Sequence, residues 1–135
     1  MKLEDLIAVS AMPGLYRMAG NRSNGLIVED LDTGKRKFVS MRKHQFSPLE
    51  TIAIFTLEDS VALIEVLKKM HAIKSDTPPV SPRADSDSLR AYFSEIVPDH
   101  DAFRVYPKDI RKIIKWFEFL DARNIFDTVA SDEEE

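Results

Sequence analysis

The chain has 135 residues, 44% of them apolar and 31% charged, which suits one ordinary domain, or two very small ones sharing a core, and argues against wholesale disorder. It carries no cysteine, so disulfide staples, thiolate metal sites and cysteine nucleophiles are excluded. The formal net charge of −4 is supplied by the closing run Asp132-Glu133-Glu134-Glu135, which leaves a neutral body and an acidic tail over residues 128–135 whose ordinary role is solvation.

Met1-Lys2-Leu3-Glu4-Asp5 places acids where a secretory signal needs positive charge followed by an apolar run. No apolar stretch approaches the roughly 20 residues that cross a bilayer, so a cytoplasmic protein without a membrane anchor is expected. Leu3, Leu6, Ile7 and Val9 predict one or two turns of helix. Pro13-Gly14 is a turn signal, and Gly14 to Ala19 alternates as a half-buried strand does. Gly25–Leu31 and Lys35–Ser40 flank Asp32-Thr33-Gly34 and predict a hairpin whose turn uses the positive φ open to Gly34. Asn21 to Asn24 is the polar connection into it. In the second hairpin strand Phe38 alternates with Lys37, which predicts Phe38 in the core. His44 to Pro48 reads as a loop or short edge strand, and the β-branched run Leu49 to Phe55 as a fourth strand.

Thr56-Leu57-Glu58-Asp59 has the form of a capping box and predicts a helix from there to about Met70. Ser75 to Ser88, with Pro78, Pro79 and Pro82, reads as a linker. Ser86 or Asp87 can cap a helix whose Leu89, Tyr92, Phe93, Ile96 and Val97 share one face, and Pro98 ends it. Pro107 opens a last helix to about Ala122, with Ile110, Ile113, Ile114, Phe117 and Leu120 on its apolar face and Trp116 and Phe119 on its flanks. These elements predict an α+β protein: a small bent antiparallel sheet of the SH3- or Tudor-like barrel kind, a helix, a Pro-rich linker and a helical pair. The expected divisions are 1–73 for the β-rich part with its closing helix, 74–86 for the linker and 87–127 for the helical part. Two such helices cannot bury their faces on each other alone, so they pack on the β-rich half or on a second chain.

Catalytic constellations are sparse. The four glycines form no phosphate loop, and no G-x-S-x-G elbow occurs. His44, His71 and His100 are too far apart for a helical ligand pair, and Asp99-His100-Asp101, in a loop, reads as a polar turn rather than a metal or acid–base site. Cations are organised better. Lys108, Arg111, Lys112 and Lys115 recur at i, i+3, i+4 and i+7, with Arg104 just upstream. Lys35, Arg36, Lys37, Arg42 and Lys43 form a second concentration on and after the hairpin. Either set suits a phosphate backbone or an acidic protein patch, and equally an ordinary solvated face.

Lys2 to Ser10, Pro13-Gly14-Leu15-Tyr16, Gly25 to Leu31 and Val105 to Trp116 resemble a family of small bacterial proteins, a domain of unknown function with a β-rich N-terminal half and a helical C-terminal half. The resemblance spans both halves and implies an intracellular bacterial protein, with no activity, cofactor or catalytic residue attached. The expectation is a non-enzymatic binding or adaptor protein without a cofactor, meeting a protein or RNA partner through the barrel and the basic helix. An enzyme assembled from distant loops around Asp99, His100 and Asp101, and a protein that self-associates through its helical half, are the alternatives.

Overall fold

The computed structural model describes residues 3–126. The acidic run at 128–135 lies outside the described residues. Seven strands are found among the described residues: β1 (Leu6–Val9), β2 (Tyr16–Arg22), β3 (Gly25–Asp30), β4 (Arg36–Ser40), β5 (Phe46–Pro48), β6 (Ala53–Phe55) and β7 (Ser60–Ala62). Three α-helices follow: α1 (Leu63–Ile73), α2 (Ser86–Ile96) and α3 (Pro107–Ala122). The protein is α+β, with a five-stranded antiparallel sheet in the order β4-β3-β2-β1-β5 and a separate β6-β7 hairpin. The chain meanders through the first four strands, and β5 then returns to pair with β1, Ile7 opposite Pro48 and Val9 opposite Phe46. A register shift between Met18 and Gly20 bulges β2, which bends the sheet. β4 and β5 remain its two edges.

Pairing fixes which side chains share a face. Ile7, Val9, Val28 and Val39 are buried together on the inner face, with Met12, Tyr16, Leu26 and Phe46 half-buried around them. Leu6, two-fold out of phase with Ile7, points the other way and joins Leu3, Leu15 and Leu49 in a larger core formed with α1, α2 and α3. The helical faces read from spacing are therefore buried, and they are buried against the β-rich half: Leu67, Met70, Leu89, Phe93, Ile110, Ile114 and Leu120 are fully enclosed.

Local signals hold where they are local. Gly34 has φ +72 in the β3–β4 turn, and Asp30 accepts from the amides of Asp32 and Thr33 at 2.8 and 3.0 Å. These two amides hold the Asp30 carboxyl below the usual carboxylate value. Residues 75–85 carry no regular structure, and Asp85, one place before the expected caps, closes the N-terminus of α2 by accepting from Ser88 N at 2.8 Å. Pro107 opens α3 as expected, with Asp109 reaching back to Tyr106 N at 2.9 Å.

Other expectations are corrected. Leu3 to Val9 is a single 3-10 turn, Leu3–Asp5, followed by β1, because Leu6 to Val9 finds ladder partners on both sides. Leu49 to Phe55 is split: Leu49–Thr51 is a 3-10 turn and Ala53–Phe55 pairs with Ser60–Ala62 instead of the main sheet. Thr56 Oγ1 does accept from Asp59 N at 3.0 Å, but it closes the β6–β7 turn, and the helix starts later, at Leu63. Phe38 is 43% exposed, on the outer face, where its ring lies over Gly25.

A cationic aromatic cleft between the sheet and the last helix

α3 lies beside the β1–β5 edge of the sheet and leaves a continuous depression along its flank. Its widest part, about 510 Å³, is walled by Ser10 to Gly14 and β5 on one side and by Lys112, Lys115, Trp116 and Phe119 on the other. Towards the start of α3 it runs into a second hollow of about 300 Å³ that shares Ser47, Lys112 and Trp116 and adds Phe55 and Arg104. Towards the end of α3 a third, of about 340 Å³, shares Gly14 and Phe119 and ends at Asp32 and Arg123.

The wall at Ser10–Gly14 is pinned by backbone. Ser10 N donates to Gln45 O at 2.9 Å, Gln45 N donates to Ser10 Oγ at 2.8 Å, and His44 Nδ1 lies 2.7 Å from Ser10 O. Ala11 is held at φ +63, a left-handed conformation that costs a Cβ-bearing residue roughly 1–2 kcal/mol. Gly14, at φ +76, is in van der Waals contact range of the Phe119 ring, which occupies the place a Cβ would take. The far end is locked by Arg123, which stacks on Phe119 at 3.6 Å and grips Asp32 through two nitrogens at 2.9 Å each. A planar fork on a carboxylate fixes orientation as well as distance. The cleft is thus a pre-formed seam between two clamped elements.

The structure sorts the ten cations singled out in the sequence. Lys112 and Lys115 line the cleft and are exposed, Lys112 lying 5.8 Å from the centre of the Trp116 ring. Lys108 is also exposed, 5.6 Å from the Tyr106 ring. No ion pair joins these three lysines to a carboxylate among the described residues. Arg104 and Arg111 have structural duties. Arg104 meets Asp101 at 2.9 Å and Thr56 O at 3.4 Å and lies 4.3 Å over Phe55, tying the β6–β7 hairpin to the α2–α3 loop. Arg111 donates to Pro82 O at 2.6 Å and Ala84 O at 3.4 Å, so it holds the proline-rich segment onto α3. Arg42 and Lys43 are exposed in the turn whose next two residues bond to Ser10 of the cleft wall. Lys35, Arg36 and Lys37 lie apart, on and before edge strand β4, where Arg36 faces Glu29 at 3.4 Å. The i, i+3, i+4, i+7 stripe is therefore divided: Lys112 and Lys115 line the cleft, Lys108 stands beside Tyr106 at the start of α3, and Arg111 holds the linker.

Asp99, His100 and Asp101 have backbone roles. Asp99 O accepts from Leu57 N, and His100 pairs with Thr56 while its Nδ1 meets Val97 O at 2.8 Å. Asp101 accepts from Arg104 and from Phe103 N, and these bonds, Arg104 first, hold its carboxyl below the usual range. Among the described residues no three His, Cys, Asp or Glu side chains gather as metal ligands do. No described helix is long and apolar enough to cross a membrane.

Sequence reasoning missed the aromatic contribution. Trp116 and Phe119 read as flanks of a buried helical face, yet both are half-buried and line the cleft. Their place on the edge of the α3 face was visible; the opposing wall, more than 60 positions earlier, was not.

Comparison with known proteins follows the same division. Residues 3–49, the five-stranded sheet, match the model of a domain of unknown function, DUF5606. Residues 52–120, the β6–β7 hairpin with the helices, match a second, DUF6852. The two matches meet between Leu49 and Ile52, and the cleft lies where they face each other. No curated protein matches the chain. A solution structure from Bacteroides vulgatus is 32% identical, with a TM-score of 0.71 over 91% of this chain and 88% of that one. The protein belongs to the family of this Bacteroides protein, and its own chain carries a DUF5606 match followed by a DUF6852 match, both domains of unknown function.

Proposed function

We propose that this is a non-enzymatic, cytoplasmic binding protein that engages an anionic partner, protein or RNA, in the cleft between the sheet and α3. The observation that carries this reading is the placing of Lys112 and Lys115 on one wall of a pre-formed cleft beside Trp116 and Phe119. Cations without carboxylate partners beside half-buried rings suit recognition of a polyanion better than chemistry, since no nucleophile, base and orienting group converge there. The strand order β4-β3-β2-β1-β5, with its bulge in β2, supports a half-open barrel of the SH3- or Tudor-like kind, a shape that commonly serves binding. Of the loop residues Asp99 to Asp101, His100 Nδ1 already serves Val97 O and the Asp101 carboxylate serves Phe103 N and Arg104, which argues against an acid–base role for that cluster.

Trp116 is the single tryptophan of the chain, so its emission reports on the cleft directly. Titration at low salt with an oligouridylate and with an oligoglutamate should change that emission for at least one of them. The double variant Lys112→Glu/Lys115→Glu should abolish the change. Unaltered emission with both probes would overturn the proposal.

A further inference from the structure

At the start of α3 the cleft ends at Phe55 and Arg104, and in the chain around Arg104 large apolar side chains stand in solvent. Phe103 is 90% exposed, Tyr106 50% and Phe55 45%. One loop carries Phe103 and Tyr106 and is tied to Phe55: Asp101 N donates to Phe55 O at 2.9 Å, Phe103 N donates to Asp101 Oδ1 at 3.0 Å, and Arg104 lies over Phe55. Tyr106 then caps α3 next to Lys108. Rings of this size in water are unfavourable unless they are covered in use, each burying on the order of 150–250 Å² when enclosed.

Their neighbours say what covers them. Lys108, Lys112 and Lys115 follow the same flank of α3 over about 10 Å of helix, given 1.5 Å per residue. Lys112 and Lys115 bring positive charge to a cleft that runs from Phe55 and Arg104 to Trp116 and Phe119, and Lys108 lies beside Tyr106 just outside it. A peptide of carboxylates alone would use the lysines and leave the rings idle. A duplex would present phosphates but hide its bases. A single strand uses both, because it offers a phosphate for each lysine and a π-face for each ring.

We infer that the ligand of this cleft is single-stranded nucleic acid, with Phe103 and Tyr106 as base-stacking platforms and Lys108, Lys112 and Lys115 as phosphate contacts. This rests on the binding function proposed above and narrows it to one class of partner. Sequence readout is not expected, since stacking accepts every base.

The test is an anisotropy titration of labelled oligouridylate of about ten nucleotides, within the site sizes common for such grooves. Three phosphate contacts should give a log–log salt slope of about −2, and each of Lys108→Gln, Lys112→Gln and Lys115→Gln should make it shallower by about 0.7. Phe103→Ala should weaken binding at least fivefold with the slope unchanged, since one stacked base is worth that much or more. Phe103 is almost wholly in solvent, so this variant should keep its fold, which circular dichroism verifies. Leu57→Ser, 70% exposed, should leave affinity within about twofold, because an aliphatic chain offers no stacking face. A duplex binding as well as the single strand, or a Phe103→Ala variant with full affinity, would overturn the inference. So would a dimer in sedimentation that Leu57→Ser and Phe103→Ala both dissociate. If oligoglutamate moves Trp116 emission while oligouridylate does not, the single-strand inference falls and the wider binding function stands. If neither does, both fall.

Discussion

The sheet and the helical layer bury apolar surface on different scales and by different means. The inner face of the sheet encloses Ile7, Val9, Val28 and Val39 among the described residues, a core of small aliphatic side chains held mainly by backbone ladders. The helical core encloses Phe93, Met70, Phe117 and a run of leucines and isoleucines, and takes Leu3, Leu6, Leu15 and Leu49 from the sheet half. Strand β1 is the pivot. Ile7 and Val9 serve one core while Leu6 serves the other, as the two-residue period of a strand requires. The cations differ in the same way. On the sheet Arg17 and Arg36 share Glu29 at 3.5 and 3.4 Å, exposed pairs of the kind that add little stability. On the helical half Arg104 and Arg111 bind backbone carbonyls, whereas Lys108, Lys112 and Lys115 beside them meet no carboxylate among the described residues. The sheet half is thus a light unit anchored to a heavy one, and the cleft is the seam left by that anchoring.

Emptying the heavy core tests the comparison hardest. Phe93→Ala removes a fully buried ring and should cost about 3–5 kcal/mol in denaturant unfolding, whereas Val39→Ala in the light core should cost about 1–2 kcal/mol. Because the sheet supplies leucines to the helical core, the Phe93→Ala protein should still unfold in one transition by both far-ultraviolet circular dichroism and Trp116 emission. Two separated transitions would show that the cores are independent.

A smaller effect is expected at Gly25. Its neighbours are the carbonyl of Val39 and the ring of Phe38, and a methyl group there would meet both. Gly25→Ala should therefore cost about 1–3 kcal/mol through displacement of the β3–β4 ladder, with Trp116 emission of the folded protein unchanged. Altered emission would mean that strain at the far edge reaches the cleft.

The smallest effect has the opposite sign. Tyr92 is buried in the helical core, its hydroxyl has no hydrogen-bond partner among the described residues, and burial pushes its pKa up to about 12. Tyr92→Phe should stabilise the protein by about 1 kcal/mol at neutral pH, by removing a dehydrated hydroxyl. A folded-state pKa above the usual 10.0 means that stability present below pH 10 is lost as pH rises from there towards 12. The Tyr92→Phe protein should lose less over that interval in alkaline denaturation. Parallel curves for the two proteins would show that Tyr92 ionises normally.

What could be read from the chain depended on how far a signal had to reach. Thr56 and Asp59 make the bond that their spacing promises, but the same bond closes a β-turn as readily as it caps a helix. The choice falls to Ser60–Ala62, which pairs back onto Ala53–Phe55. Leu3 to Val9 fits both a helical and a strand period over so short a window, and β5, some forty residues later, decides for the strand. Of the cleft, the sequence displayed one wall: the lysines of α3 at helical spacing, with Trp116 beside them.

Determined by sequence alone were the elements whose cause is local. They are the β3–β4 hairpin with Gly34 at its turn, the proline-rich break before α2, and α3 from Pro107 to Ala122 with its apolar face. Each follows from a backbone preference or a periodicity acting within a few residues. Tertiary structure decided the rest: which face of β1 serves which core, which cations hold carbonyls and which stay available, and where the two halves leave a seam. Arg123 and Asp32 grip each other across 91 positions of chain, and Gly14 exists in its present form because the Phe119 ring lies against it. Such contacts carry no periodicity and no local propensity, so the fold has to bring the residues together before their chemistry can be read.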